Sequence, residues 1–473
     1  MQALKKSLAK HKLRSAALFL FMCGQVYLLL ALMPYTTRLF INDETRNAFS
    51  MDNFFGEHPV PERVMLLDDT NEAFFHRVNV ISSARQQINM VSFSITEGVS
   101  TDIIVGALLA AAERGVEVNI IHNEIVGTMH LGYRRVLSGH KNINVYGFNR
   151  FELLRPHFIN ANFHDKYITV DNKYLLLGGR NIGDKYYNPD CFQGLLSLDK
   201  EVLVYNTDPS HDGVIAEINE YFFAKIYSCR TSLFTRSVGR DWEARKAYFI
   251  SIYNKYNAGL AAESFDYSTN TVPANRITLT KNDFETARKE SIVAYNLMMI
   301  AMNSETIIAH SPYLSMTRRS INRLGQVTRG RDVTFVTNSL ASTPNIPAFS
   351  NYYVSRRHIL RATGMQIYEF QHTNASLHGK AYLFDGRLTA IGSFNMNERS
   401  MRSDTESMLV IDSEEFFDIV MESLNNYMAM SLRVGANNRY VPCDYVEAAH
   451  VPLTKRIIYF VAGHGLRGLR FMF

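Results

Sequence analysis

The chain has 473 residues, 47% of them hydrophobic, and a formal net charge of +5 at pH 7. That length and apolar content supply a large core, enough for about three ordinary domains or one large duplicated one. The mild positive balance fits anionic lipid or polyanions without selecting either, and Cys23, Cys191, Cys229 and Cys443 form no CxxC pair, which argues against structural zinc and a disulfide framework.

Residues 1–15 form a basic tail with Lys5, Lys6, Lys10, Lys12 and Arg14, ahead of an uncharged apolar run at 16–33. With its flanks (16–35) the run is long enough to cross a bilayer. No A-x-A cleavage site stands at Ala31-Leu32-Met33-Pro34. An uncleaved single-pass signal anchor is therefore expected; a cleaved signal peptide and a buried core helix are the alternatives. The five cations place the N-terminus in the cytoplasm of a cell-membrane protein and the bulk of the chain outside it.

Residues 36–60, where the next charges are Arg38, Asp43 and Glu44, show weak periodicity and read as a spacer. From 61 to 207 the pattern alternates between strand and helix. Helix is expected at 71–84, strand at 88–93, helix at 101–115 with Thr101 as N-cap and Gly115 at its end, and strand at 116–121. A polar, helix-like stretch at 208–275 reads as a connection. The plan then repeats over 276–445, with helix at 283–302, strand at 306–309 and helix at 315–327. GRDVTFVTN at 330–338 mirrors GVEVNIIHN at 115–123, an offset of 215 residues. Such alternation predicts an α/β fold of mixed sheets flanked by helices, duplicated as two lobes. The basic and apolar tail at 446–473 fits either a membrane-surface contact or a terminal element packed on the core.

Each lobe carries one sparse motif. The first is His164, Lys166, Asp171, Gly178, Asn181; the second is His378, Lys380, Asp385, Gly392, Asn395, at identical offsets and 214 residues on. Five identities at fixed spacing arise by chance at roughly one start in a few million, so an internal duplication is the economical reading. His and Lys at i and i+2 of a strand share a face. Asp171-Asn172 and Asp385-Gly386 supply turn chemistry, and a second strand returns to Gly178-Gly179 or Gly392-Ser393. Those small residues are candidates for substrate binding. Imidazole, ammonium and carboxamide suit a phosphodiester: one histidine attacks phosphorus while the other moves the proton. Asp171 and Asp385 also admit a structural reading as turn or lysine holders, and Gly178 and Gly392 one as backbone packing. Arg180 and Arg399 read equally as solvated charges or as contacts to lipid or carboxylate. His157, His310 and His372 read as core histidines.

The two motifs resemble the phospholipase D superfamily signature, H-x-K-x4-D with a trailing G-[SG]-x-N. Gly178-Gly-Arg-Asn-Ile-Gly-Asp184 with Tyr186-Tyr187, Asn395-Met-Asn-Glu-Arg399-Ser400 and Asn149-Arg-Phe-Glu-Leu-Leu-Arg-Pro156 are similar to bacterial cardiolipin synthases of the C-type branch. The resemblance implies a two-lobed fold, no metal or other cofactor, and a phosphohistidine intermediate. It makes His164 the nucleophile and His378 the general acid/base, with Lys166, Asp171, Asn181, Lys380, Asp385 and Asn395 around them. It also implies a downstream acid in each half that orients the opposing histidine. Glu406 and Glu201 fit that place, with Asp199 and Asp404 as neighbouring acids. The expected reaction joins two phospholipids, phosphatidylglycerol being the donor and a second phospholipid the acceptor, at a membrane and without nucleic acid. A hydrolytic phospholipase D, a phosphodiesterase acting on nucleic acid and a non-catalytic membrane scaffold are the rival functions.

Overall fold

The computed structural model describes residues 2–36, 39–190, 192–260 and 265–472. Arg38 of the expected spacer, Cys191 and residues 261–264 of the expected connection lie outside the described residues. Helix α1 (Gln2–Thr36) carries the apolar run. Its stretch Arg14–Thr36 has a mean hydropathy of 2.2 with 6% buried against the protein, so it is not a core helix, and it is long and apolar enough to cross a membrane. Its last turn meets the first lobe, where the Tyr35 hydroxyl donates to the His157 carbonyl at 2.7 Å.

The expected spacer is folded. Asn42 caps α2 (Asp43–Ala48) by accepting from the Thr45 N–H, and a 3-10 turn follows at Met51–Phe54. Leu39, Phe49, Met51, Phe54 and Phe55 pack on the second lobe, because a run with this many large apolar side chains gains more by burial than by tethering in water.

The first lobe runs β1 (Glu62–Leu67), α3 (Thr70–Ser83), β2 (Gln87–Ser92), α4 (Val99–Glu113), β3 (Glu117–Asn123), α5 (Leu131–Ser138) and β4 (Ile143–Phe148). It continues through β5 (Tyr167–Val170), β6 (Tyr174–Gly178), α6 (Asp184–Tyr187), β7 (Leu196–Leu198) and β8 (Glu201–Asn206). Helix α4 starts at Val99 rather than at a Thr101 cap, because the Asp184 carboxylate accepts from the N–H groups of Val99 and Ser100. Next come α7 (Val214–Ile226), β9 (Thr231–Leu233), α8 (Trp242–Leu260) and β10 (Val272–Pro273). These were expected to be a connection, yet β9 and β10 form the two edges of the first sheet, ordered β10-β1-β8-β6-β5-β2-β3-β4-β9. Helix α8 also closes on α4, where a Cβ on Gly106 would lie 2.2 Å from the Phe249 carbonyl oxygen.

The second lobe runs β11 (Arg276–Lys281), α9 (Ile292–Met302), β12 (Thr306–His310), α10 (Arg318–Val327), β13 (Asp332–Asn338), α11 (Ile346–Thr363) and β14 (Gln366–Phe370). Then come β15 (Ala375–Leu377), β16 (Ala381–Phe384), β17 (Leu388–Gly392), α12 (Glu398–Arg402), β18 (Ser407–Asp412), α13 (Glu414–Ala429), β19 (Ser431–Val434) and α14 (Leu453–Gly465). Helix α9 is shorter than the expected 283–302. The Asp283 side chain accepts from Glu285 N–H and Thr286 N–H, a local turn that competes with helix. The second sheet is ordered β11-β18-β17-β16-β12-β13-β14-β19. It matches the first, strand for strand, from β1 to β9, so the duplication is one of topology.

The two sheets face each other. Val64, Leu66, Leu175, Leu177, Val202 and Val204 meet Leu383, Ile391, Leu409 and Ile411 in one shared core. Helices cover the outer faces, so the central strands are apolar on both sides. At the C-terminus, α14 buries Tyr459 and Gly463, with the Tyr459 ring 6.0 Å from that of Phe349 on α11. Its other side exposes Leu453, Ile457, Ile458, Phe460 and Val461.

Candidate active site

In each lobe the motif is a hairpin. His164 and Lys166 precede β5, and the chain turns at Asp171 and Asn172, both at positive φ (53° and 50°). In the second lobe Asp385 takes the same conformation (51°). The Asp171 carboxylate accepts from the N–H groups of Arg85, Gln86 and Gln87 at 2.6–2.8 Å. Asp385 accepts likewise from Glu305 and Thr306 at 2.9 and 2.8 Å. Both aspartates tie the hairpin to the start of the neighbouring strand, one strand length away from the imidazoles. The expectation that they belong to the catalytic group is corrected: a turn at positive φ favours Asp or Asn, and the carboxylate there saturates backbone donors.

Gly178 and Gly392 are also strand-packing residues rather than ligand contacts. A Cβ on Gly178 would lie 2.3 Å from the Lys200 carbonyl oxygen, and one on Gly392 2.2 Å from that of Ser407. The next position in each motif does face the site. A Cβ on Gly179 would lie 2.3 Å from Asp199 Oδ1 and 3.1 Å from the Lys380 ammonium. Its counterpart Ser393 donates its hydroxyl to Glu406 Oε2 at 2.5 Å. Gly179 of the first motif and Lys380 of the second thus share one pocket.

The lobes exchange backbone bonds at the histidines. Strands β7 and β15 pair in parallel, Leu198 opposite Leu377, and His378 N–H donates to the Leu198 carbonyl at 2.7 Å. On the other side Phe163 bridges Thr405, and His164 N–H donates to the Thr405 carbonyl at 2.8 Å. The residue after each bridging carbonyl is an acid. His164 Nδ1 consequently lies 3.1 Å from Glu406 Oε2, and His378 Nδ1 lies 2.5 Å from Asp199 Oδ2.

Asp199, not Glu201, is therefore the acid at His378. In the sheet register Glu201 opposes Gly178 whereas Met408 opposes Gly392, so Glu201 corresponds to Met408 and Asp199 to Glu406. Glu201 is buried with Arg77 and Arg180, the latter at 3.1 Å. Arg180 also donates to the Tyr186 carbonyl at 2.5 Å, so it braces the lobe and is not solvated. Arg399 pairs with Asp404 at 2.8 Å and reaches Asn160 of the first lobe at 3.0 Å.

Lys166 and Lys380 are buried, and each donates to the carbonyl of its own histidine. Lys380 also lies 3.3 Å from His378 Nδ1. Burial first, and then the adjacent lysine, lowers the pKa of both imidazoles, so the unliganded histidines are neutral. Burial and then the Lys380 charge bring Lys166 down to about 7. The two acids differ. Burial pushes Glu406 up to about 8. Burial would raise Asp199 too, but the hydrogen bond from His378 and the charge of Lys380 outweigh it and hold it well below the usual carboxylate range.

Two aromatic rings complete the walls. Phe93 meets His164 edge-on at 5.0 Å and Tyr186 meets His378 at 5.5 Å. Asn181 donates to the Tyr186 hydroxyl at 2.9 Å. The amide oxygens of Asn181 and Asn395 are buried without a protein partner. Phe93 arrives from just after β2, outside the motif spacing, so nothing in that spacing signals it, whereas Tyr186 of α6 belongs to the string that carries the family resemblance. His310 packs against Tyr427 behind Gly379, while His372 stacks on Phe370 and His157 packs on Phe158. Among the described residues no three His, Cys, Asp or Glu side chains converge as a metal-ligand group. The donors that do converge, the two lysine ammoniums beside two imidazoles, suit a phosphoryl anion.

The sequence profile of the family described as cardiolipin synthase, PLD-like domain, matches residues 78–225 and 297–428. The chain is 27% identical over 410 residues to cardiolipin synthase C of Escherichia coli (77% of this chain, 84% of that one). It is 26% identical over 447 residues to an uncharacterized protein of Helicobacter pylori (83% and 84%). Among solved structures, a phosphatidylserine synthase of Haemophilus influenzae shares the fold with a TM-score of 0.63 at 13% identity, covering 91% of this chain and all of that one.

Proposed function

Since the chain belongs to the cardiolipin synthase, PLD-like domain family, we propose that it is a membrane-anchored phosphatidyltransferase that joins two phospholipids into cardiolipin through a phosphohistidine. The observation that carries this reading is the crossed pairing of each motif histidine with an acid of the other lobe. Such a pairing supports a tautomer with Nδ1 engaged by the acid and Nε2 left for the substrate.

The unequal acids support a division of roles. Beside Glu406, which leans to its neutral form, His164 stays a neutral imidazole and is the nucleophile. Its Nε2 attacks phosphorus of a phosphatidylglycerol, and the bond to the leaving glycerol oxygen breaks. His378, facing ionised Asp199, is stabilised as imidazolium once the anion is bound, and gives its proton to that oxygen. A hydroxyl of the second phospholipid then loses its proton to His378 and attacks phosphorus, and the N–P bond to His164 breaks. Lys166, Lys380, Asn181 and Asn395 hold the phosphoryl oxygens, where charge builds in both steps. Helix α1 anchors the enzyme with its N-terminus cytoplasmic and the lobes outside.

The test is detergent-purified protein with labelled phosphatidylglycerol. Cardiolipin is the expected product; phosphatidic acid alone under every acceptor condition means hydrolysis and overturns the synthase reading. A labelled phosphoprotein should be trapped in wild type and lost in His164→Ala. If it persists there, the nucleophile is His378.

A further inference from the structure

A cavity of about 430 Å³ lies in the second lobe, between the outer face of the sheet and helices α9 and α10, away from the histidine pocket. Protein interiors seldom leave voids larger than a water molecule, and this one has the size of a small-molecule site, about 300–1,000 Å³. Its wall is apolar, including Leu297, Ala301, Leu324, Phe335 and Phe384. A polar metabolite would find few partners there.

The rim is different. It is formed in part by Leu39, Ile41 and Arg46, from the segment that begins three residues beyond the end of α1, and by Arg323 of α10. That segment is fixed in place: Asn42 donates twice to the Glu290 carboxylate at 2.9 Å, and Ser291 N–H donates to the Phe40 carbonyl at 3.0 Å. The Arg46 and Arg323 side chains are exposed. No described carboxylate lies within ion-pair distance of either, in contrast to Arg387 and Arg399, each held by an aspartate. A cationic rim over an apolar shaft, next to the exit of a membrane-crossing helix, has the chemistry of an amphiphile with a negative head. At its inner end the cavity reaches Phe394 and Met396, which flank Asn395 of the second motif.

We propose that this cavity takes one fatty acyl chain of an anionic membrane phospholipid, whose head group sits at Arg46 and Arg323. The lipid enters from the bilayer beside α1. The site is separate from the histidines and does not depend on the transfer reaction.

The probe is phosphatidylglycerol carrying a photoactivatable diazirine on one acyl chain, in vesicles with the full-length protein. Cross-links are expected on peptides of α9 and α10. Ala301→Trp, which fills the shaft, should lower that labelling at least about tenfold at an unchanged melting temperature. The pair Arg46→Glu with Arg323→Glu, on exposed positions that leave the fold intact, should lower it for phosphatidylglycerol and spare a phosphatidylcholine probe. His164→Ala should label as wild type, so a failed acyl site and a failed transferase are told apart. Labelling confined to the histidine pocket, or undiminished in the double arginine variant, overturns the proposal.

Discussion

Replacing Asp199 with Asn would leave His378 Nδ1, now 2.5 Å from a carboxylate, facing a neutral amide, and the imidazolium would lose its stabilising charge. The turnover number should fall about 10²–10⁴-fold with little change in melting temperature, as read by product assay and thermal unfolding together. Glu201→Gln should do the reverse. It leaves Arg77 and Arg180 buried without their carboxylate, a cost of about 3–5 kcal/mol, visible as a lower melting temperature. This distinction was not legible in the sequence. Asp199-Lys-Glu201 and Asp404-Thr-Glu406 look alike, but 18 residues separate Asn181 from Asp199 and only 11 separate Asn395 from Glu406. The seven extra residues shift the register, and only the strand pairing reveals it. The histidines, lysines and asparagines were legible because their spacing is fixed within one hairpin. Lys166 makes a third prediction. Its ammonium, present below its lowered pKa of about 7, is lost as pH rises, so kcat/KM should decline above about pH 7. A pH series on Lys166→Met should show a low rate without that decline.

At the scale of elements, α8 was expected to be linker and is instead a wall of the first lobe. Its sequence, WEARKAYFISIYNKYNAGL, has no strong amphipathic stripe, and its docking is decided by Gly106 of α4, far away in the chain. Gly106→Val would drive a side chain into the Phe249 backbone. Overpacking of this kind costs typically about 1–3 kcal/mol, and rigid backbone in the way puts this case at the upper end, to be measured by denaturant unfolding. Strands β7 and β15 escaped notice for a related reason. Each has three residues, too few to show a period, and each is a strand only because the other lobe supplies its partner. The regular alternation of the long strands and helices, by contrast, carried the two-lobe α/β plan.

For the whole molecule, the sheet-to-sheet core has no owner. Leu175, Leu177, Val202 and Val204 are buried in one cluster with Leu383, Ile391, Leu409 and Ile411 of the other lobe. Lobes that share a core should unfold together, so calorimetry of the detergent-solubilised protein should show one cooperative transition, and the lobes expressed singly should be insoluble. The crossed pairs also have a genetic consequence. His164 and Glu406 are 242 positions apart, and His378 and Asp199 are 179 apart. A crossover with a divergent relative anywhere between residues 199 and 378 would give each histidine an acid from the other parent. Although the chain is built as two repeats, inheritance has to treat it as one indivisible unit.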